Sequence, residues 1–287
     1  MNKVNLFENQ FLEQNNFPLY EGKPKKILII ASTGRSGSHM LGHALWKTGC
    51  FGFPLEYLNP GEFSRWADLT GKNTIEDILI ELQKIRTSPN GVFAIKIHYA
   101  QIEQSIKSFK KLQSLFPNAY YVMLTRNCVL SQAVSLSKAK QTRTWLTDKA
   151  EEHQNLRYSF KEINRNIKFF LRQNSSWHYT LNIHKCKYMH ITYEELELNL
   201  NQVISKIAKY VEVNIPVTNL ECEKITHKQR DSINEEWKNK FLTEVLHSKK
   251  NLVFDSWLEK IIYKSNVFMK KLINKTGLIK LIKYLMN

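Results

Sequence analysis

The chain has 287 residues, enough for one large α/β domain or for one domain with a small appendage. Hydrophobic residues make up 43% and charged residues 24%, ordinary globular usage that excludes disorder along most of its length. Lys and Arg number 42 against 26 Asp and Glu, a formal charge of +16, which favours anionic partners without choosing among nucleic acid, acidic lipid and a polyanionic small molecule.

Residues 1–25 read as a polar lead-in that ends at Gly22 and Pro24. The first twenty lack the continuous apolar core of a signal peptide, and nothing in the chain approaches the ~20 apolar residues of a spanning helix. The expectation is a cytoplasmic protein, soluble or peripheral at a membrane. Cys50, Cys128, Cys186 and Cys222 form no Cys-x-x-Cys pair and no metal-ligand spacing with His, so they read as reduced thiols, with no metal expected.

Lys26–Ser32 (KILIIAS) is a short apolar run rich in β-branched residues, the pattern of a strand covered on both faces. A Gly/Ser turn over 33–38 leads into a helix with Met40, Leu41, Ala44 and Leu45 on one side, stopping near Gly49. Residues 74–86 read as a helix, 92–97 (VFAIKI) as a second strand and 101–115 as a helix again. A third strand is predicted over 119–125, then a helix from about 128 to 140, a long helix from about 157 into the 170s, a weaker strand over 187–192 and an amphipathic helix over 200–211. Strands alternating with helices indicate βαβ units. The fold class predicted is α/β, a P-loop-like doubly wound parallel sheet flanked by helices. Its expected domain spans 26–248, after the lead-in, with a helical C-terminal extension over 249–287.

Four segments carry chemistry. In the first, a hydrophobic strand runs into Thr33-Gly34-Arg35-Ser36-Gly37-Ser38 and then a helix. Small residues let backbone N–H groups approach an anion, and the helix N-terminus adds its positive end. The Gly-Lys-Ser/Thr ending of nucleotide triphosphatases is absent, and a plain strand-to-helix turn is the alternative. In the second, Arg126 follows the third strand and Ser135 lies in the next helix. The pair suits a phosphate, although on spacing alone a surface Arg and a helical Ser serve as well. In the third, Glu56 sits among Phe51, Phe53, Pro54 and Tyr57, where apolar company would raise its pKa and suit it to proton abstraction; an exposed loop carboxylate is the alternative. In the fourth, Lys96 and His98 fall on one face at the end of the second strand. The His could act as a base and the Lys could steady a leaving oxygen, with a solvent-facing strand end as the alternative.

In this order the segments resemble the PAPS-dependent sulfotransferases (PAPS is 3'-phosphoadenosine 5'-phosphosulfate), most closely the bacterial group typified by a trehalose 2-sulfotransferase. The matching residues are Thr33 to Ser38, Glu56-Tyr57 after Pro54, Val92 to Lys96, Leu124-Thr125-Arg126, Gln132 to Leu136 and Ile191 to Leu196. Lys228-Gln229 with Asp231, then Glu236-Trp237, resemble a later family segment. The resemblance covers roughly residues 26–240. It implies that Thr33, Gly34, Arg35, Ser36, Gly37 and Ser38 bind the 5'-phosphosulfate, with Arg35 near the sulfuryl group, and that Arg126 and Ser135 bind the 3'-phosphate. It implies Glu56 as the base by the bacterial pattern and His98 by the Lys-x-His pattern of animal cytosolic enzymes; the flanking residues favour Glu56. PAPS is then the co-substrate, without a metal, and the acceptor a carbohydrate or glycolipid. Gly34 departs from the Pro usual in this loop, and His39-Met40 from the Trp that stacks on adenine in cytosolic enzymes.

The sequence also admits two rival readings. A P-loop-type kinase lacks its Lys-Ser/Thr, and a basic nucleic-acid-binding protein lacks any recognised module, so no nucleic acid is expected. The tail from Lys249 carries nine Lys against Asp255 and Glu259, with apolar residues at helical spacing. It reads either as helices packed on the domain or as a basic element lying on an anionic membrane. A homodimer is left open.

Overall fold

In the computed structural model, the described residues are 10–143, 145, 156–216 and 232–247. Residues 10–241 lie within one compact unit, Met1–Phe241; of the second, Leu242–Asn287, the description reaches only 247. The basic tail, and Lys228, Gln229 and Asp231, lie outside the described residues.

Four parallel strands form the sheet, in the order β2-β1-β3-β4: β1 Lys26–Ser32, β2 Val92–His98, β3 Tyr120–Thr125 and β4 Tyr188–Thr192. β1 is central and buried on both faces, which is why its sequence is continuously apolar rather than alternating. Its pleat divides two cores. Ile27, Ile29 and Ala31 meet Phe53, Leu55, Leu79 and Trp177 on one face; Leu28 and Ile30 meet Leu41, Leu45, Val203 and Ile207 on the other. Each fully buried Ile or Leu contributes about 1.5–3 kcal/mol.

The longer helices among the described residues are α1 Ser38–Lys47, α2 Phe63–Thr70, α3 Ile75–Arg86, α4 Phe109–Leu115, α5 Val129–Thr142, α6 Phe160–Ile183, α7 Tyr193–Leu198, α8 Leu200–Val211 and α9 Ser232–His247. The helix predicted over 101–115 is divided. Lys107 takes a positive φ of 67°, and the Ser108 side chain accepts a hydrogen bond from the Lys111 amide, so α4 starts afresh at Phe109. No helix among the described residues is long and apolar enough to cross a membrane.

The chain leaves β1 for an edge at β2, then crosses back over β1 to β3. The strand order therefore reverses between β1 and β3, and the crevice beyond their carboxyl ends is where doubly wound sheets bind ligands. Ser32 is in register with His98 and Leu124, so the loops after β1, β2 and β3 leave the sheet at one level.

The segment around Glu56 reaches the same level by an added pairing. Leu55 bridges in parallel to Ile95, and the Lys96 amide donates to the Leu55 carbonyl at 2.9 Å. Gly52 permits this approach. It has φ +68°, and a Cβ there would lie 2.6 Å from the Arg86 carbonyl oxygen and 3.0 Å from that of Val92, both backbone atoms that cannot step aside. Gly52→Ala is therefore expected to lower stability by about 2 kcal/mol or more. Chemical denaturation would measure it, and an unchanged midpoint would mean that the segment docks differently.

Candidate active site

The loop after β1 is short and tightly held. Arg35 and Gly37 both have positive φ, at 61° and 84°; Ser36 Oγ donates to the Thr33 carbonyl at 2.7 Å; and α1 begins at Ser38. Thr33, Ser36 and Ser38 are buried. Gln132, on α5, fixes the loop from the side, its Nε2 donating to Thr33 Oγ1 at 2.9 Å and to the Gly34 carbonyl at 2.7 Å. A Cβ on Gly37 would stand 2.7 Å from the Tyr193 ring, so only glycine lets that ring close on the loop.

Two guanidinium groups flank this loop. Arg35 Nε donates to Ser135 Oγ at 3.0 Å, and its Nη1 to the Trp145 carbonyl at 2.6 Å. Arg126 donates to the Arg35 carbonyl at 3.3 Å and lies over the Tyr193 ring, 4.4 Å from its centroid. Burial, then the charge of Arg126, lowers Arg35 from the usual 12.5 to about 10. Two cations held so closely, beside a helix N-terminus, suit an anion. The segment from Ile191 to Leu196 supports them. Thr192 and Glu195 cap α7 reciprocally, Tyr193 underlies Arg126, and Glu194 accepts the Asn127 and Cys128 amides at 3.1 and 3.4 Å.

Glu56 is the hub of the second cluster. Its Oε1 lies 3.0 Å from Lys96 Nζ and 3.6 Å from His39 Nε2; its Oε2 accepts from Gln101 Nε2 at 2.7 Å and lies 3.5 Å from His98 Nδ1. Lys96 is fully enclosed, so its ammonium meets Glu56 rather than the cavity. The raised Glu56 pKa expected from apolar company is not what this setting produces. Burial acts to raise it, but His98, Lys96 and His39 outweigh burial and hold the carboxyl well below the usual range. Burial lowers His98, with Glu56 acting against it, and burial carries His39 well below 6.5.

Both clusters open into one cavity of about 550 Å³. Thr33, Gly34, Arg35 and Ser38 line one part, with Glu56 and His98 beside them. The rest of the wall carries the carboxamides of Asn59, Gln101, Gln104 and Gln173, the carboxylate of Glu62, the rings of His39, Trp145, Phe169 and Phe170, and the side chains of Ala100 and Leu136. Ser36, Gly37, Lys96, Arg126 and Ser135 are not in this wall. Ser36 and Gly37 shape the loop behind it, Lys96 stands behind Glu56, and Arg126 and Ser135 reach it through Arg35.

Three side chains at this place escaped the reading of the sequence: His39, Gln101 and Gln132. His39 was noted there only as a departure, although it follows directly on Ser38. Gln132 lay inside a matching segment without a role of its own. Nothing in the local sequence around Gln101 connects it to Glu56.

The sequence profile of the Stf0 sulphotransferase family matches residues 27–244. The chain belongs to this family. It is therefore a sulfotransferase, an enzyme that transfers a sulfuryl group. No curated protein matches the sequence. Among solved structures, this sulfotransferase is similar to the sulfotransferase domain of the Synechococcus PCC 7002 olefin synthase, with 17% identity, 82% of this chain and 94% of that chain covered, and a TM-score of 0.44. It is also similar to a sulfotransferase from Alicyclobacillus acidocaldarius (13% identity, 78% and 94% covered, TM-score 0.43) and to a mouse sulfotransferase complexed with PAP (13%, 78% and 68%, TM-score 0.36).

Proposed function

We propose that this enzyme transfers a sulfuryl group from PAPS to a hydroxyl of a carbohydrate or glycolipid acceptor. The observation that carries the reading is the shared cavity in which the loop after β1 lies beside Glu56 and His98. Residues Thr33 to Ser38 would hold the 5'-phosphosulfate on backbone N–H groups and hydroxyls, with Arg35 nearest the sulfuryl group. Arg126 and Ser135 would hold the 3'-phosphate. The mutual opposition of Arg35 and Arg126 fits this donor, because an anion beside them relieves it.

When bound, PAPS supplies the activated sulfuryl group, and PAP leaves with the bridging oxygen. Glu56 is the proton acceptor we favour for the incoming hydroxyl, since it lines the cavity and stays ionised at neutral pH. Lys96 and Gln101 are positioning residues that fix its two oxygens. Each carboxylate oxygen already has a partner, so the contribution of Glu56 as a base belongs at the lower end of the usual 10²–10⁴-fold. A second reading rests on the 3.5 Å separation of His98 Nδ1 from Glu56 Oε2. There Glu56 orients a neutral His98, whose Nε2 has no hydrogen-bond partner among the described residues.

The acceptor class is supported by the remaining wall. Four carboxamides and the Glu62 carboxylate, with the exposed rings of Trp145 and Phe169, match a ligand rich in hydroxyls that has one apolar face. The test is transfer of labelled sulfate from PAPS to a panel of sugars, glycolipids and polysaccharide extracts, run beside simple phenols and tyrosine-containing peptides. Label is expected in a carbohydrate or glycolipid product. Label confined to phenols or peptides would overturn the acceptor class, and failure of PAP to stabilise the protein would overturn the donor.

A further inference from the structure

The outer face of α6 has a composition that neither the core nor the reaction explains. Lys161, Arg165, Lys168 and Arg172 recur at intervals of four, three and four residues, which places them along one side of the helix. Lys161, Arg165 and Arg172 are exposed, and Lys168 is half-buried between them. The one acidic residue of α6, Glu162, lies 4.0 Å from Lys140 on α5. Arg172, 74% exposed, has Glu103 at 3.9 Å, a distance at which solvent screens the pair.

The same line continues into apolar residues. Tyr179 and Ile183 follow Arg172 at seven and eleven residues, and they are 69% and 61% exposed. Leu171 and Phe169 flank the stripe at 50% and 43%, and Phe169 is also a wall of the active-site cavity. A 24-residue helix is about 36 Å long, so the basic half spans about 16 Å, enough for several headgroups. Basic side chains in line with exposed Tyr and Ile, and flanked by exposed Leu and Phe, are what an anionic bilayer surface attracts, through headgroup charge and the burial of apolar tips. A soluble polyanion would use the charges and leave the apolar residues without a partner.

We propose that this face of α6 docks on an anionic lipid bilayer and sets the adjacent cavity at the membrane surface, where the headgroup of a lipid-linked acceptor reaches it. The docking stands apart from the chemistry; only the presentation of an acceptor rests on the proposed function. It also stands apart from any contact made by the tail.

The test is sedimentation of the full-length chain with phosphatidylcholine vesicles and with vesicles containing about 30% phosphatidylserine. The variants are K161Q/R165Q/R172Q and, separately, Y179S/I183S. All these positions are on the surface, and melting temperatures close to wild type would show that both variants are folded. The wild-type chain should sediment with the anionic vesicles only, and less as salt rises. The triple variant should lose roughly 10²-fold in partition, from about one kcal/mol for each removed charge, and the double variant should lose several-fold. Equal sedimentation of wild type and triple variant would overturn the proposal and assign the binding to another part of the chain. So would equal loss from neutral and anionic vesicles. Heparin binding that is lost in the triple variant, with vesicle binding unaffected by Y179S/I183S, would overturn it in favour of a soluble polyanion. Loss of sulfate transfer with docking intact would instead count against the proposed function alone.

Discussion

Glu56→Gln is expected to lower turnover by about 10²-fold while PAP still binds, because Glu56 lines the cavity and meets Lys96, His39, His98 and Gln101 rather than the flanking arginines. The same change should also destabilise the fold. Lys96 is fully enclosed, with Glu56 3.0 Å from its ammonium, and removing one partner of a buried pair costs about 3–5 kcal/mol. The sign with pH follows from Lys96. Burial lowers its folded pKa below 10.5, so without Glu56 the unfolded chain binds more protons than the folded one. The stability deficit should shrink as pH rises from 7 towards 10, and it should shrink as well in Glu56→Gln combined with Lys96→Met. Thermal melts across pH would measure both. A deficit that is flat in pH would mean that Lys96 is not held by Glu56.

His98→Asn should cost less turnover than Glu56→Gln. The reverse ranking, with a rate that falls on the acid side somewhat below pH 6.5, would make His98 the base and Glu56 its orienting partner. Burial lowers His98, so its acid limb lies below the ordinary 6.5; the Glu56 limb would lie lower still, beneath the ordinary carboxylate range.

Arg35→Ala and Arg126→Ala should each reduce the rise in melting temperature that PAP produces, with Kd weaker by roughly 10–10²-fold. On the proposed donor binding, each would remove a charge-assisted partner of a phosphate or sulfate. Arg35 also holds Ser135 and the Trp145 carbonyl, so its loss should loosen the cavity wall more than loss of Arg126 does. Adenosine 5'-phosphosulfate, which lacks the 3'-phosphate, should stabilise the wild type less than PAPS does. Equal stabilisation would remove Arg126 and Ser135 from 3'-phosphate binding.

The α/β class and the four strands were readable locally. A strand buried on both faces must be continuously apolar, and β1, β2 and β3 each announce themselves that way. The loop from Thr33 to Ser38 was readable for a similar reason, since its small residues and the helix after it are neighbours in the chain. The division at Lys107 was missed because Ser108 begins a new helix with its side chain inside what reads as one helical period.

The sign of the Glu56 shift could not be read at all. The flanking residues Phe53, Pro54 and Tyr57 say only that the position is apolar, which raises a carboxylate. The opposing influence comes from His98 and Lys96, brought beside Glu56 by a Leu55–Ile95 pairing forty residues apart that the backbone approach at Gly52 permits, and from His39 at the start of α1. Gln101 and Gln132 belong with these, since each meets its partner across loops that no local pattern connects. The sequence by itself determined which segments could form strands and a tight small-residue loop ahead of a helix, because those depend on neighbours within a few residues. The tertiary structure alone decided which charges share a cavity, because electrostatic interaction depends on distances in space that the order of residues does not contain.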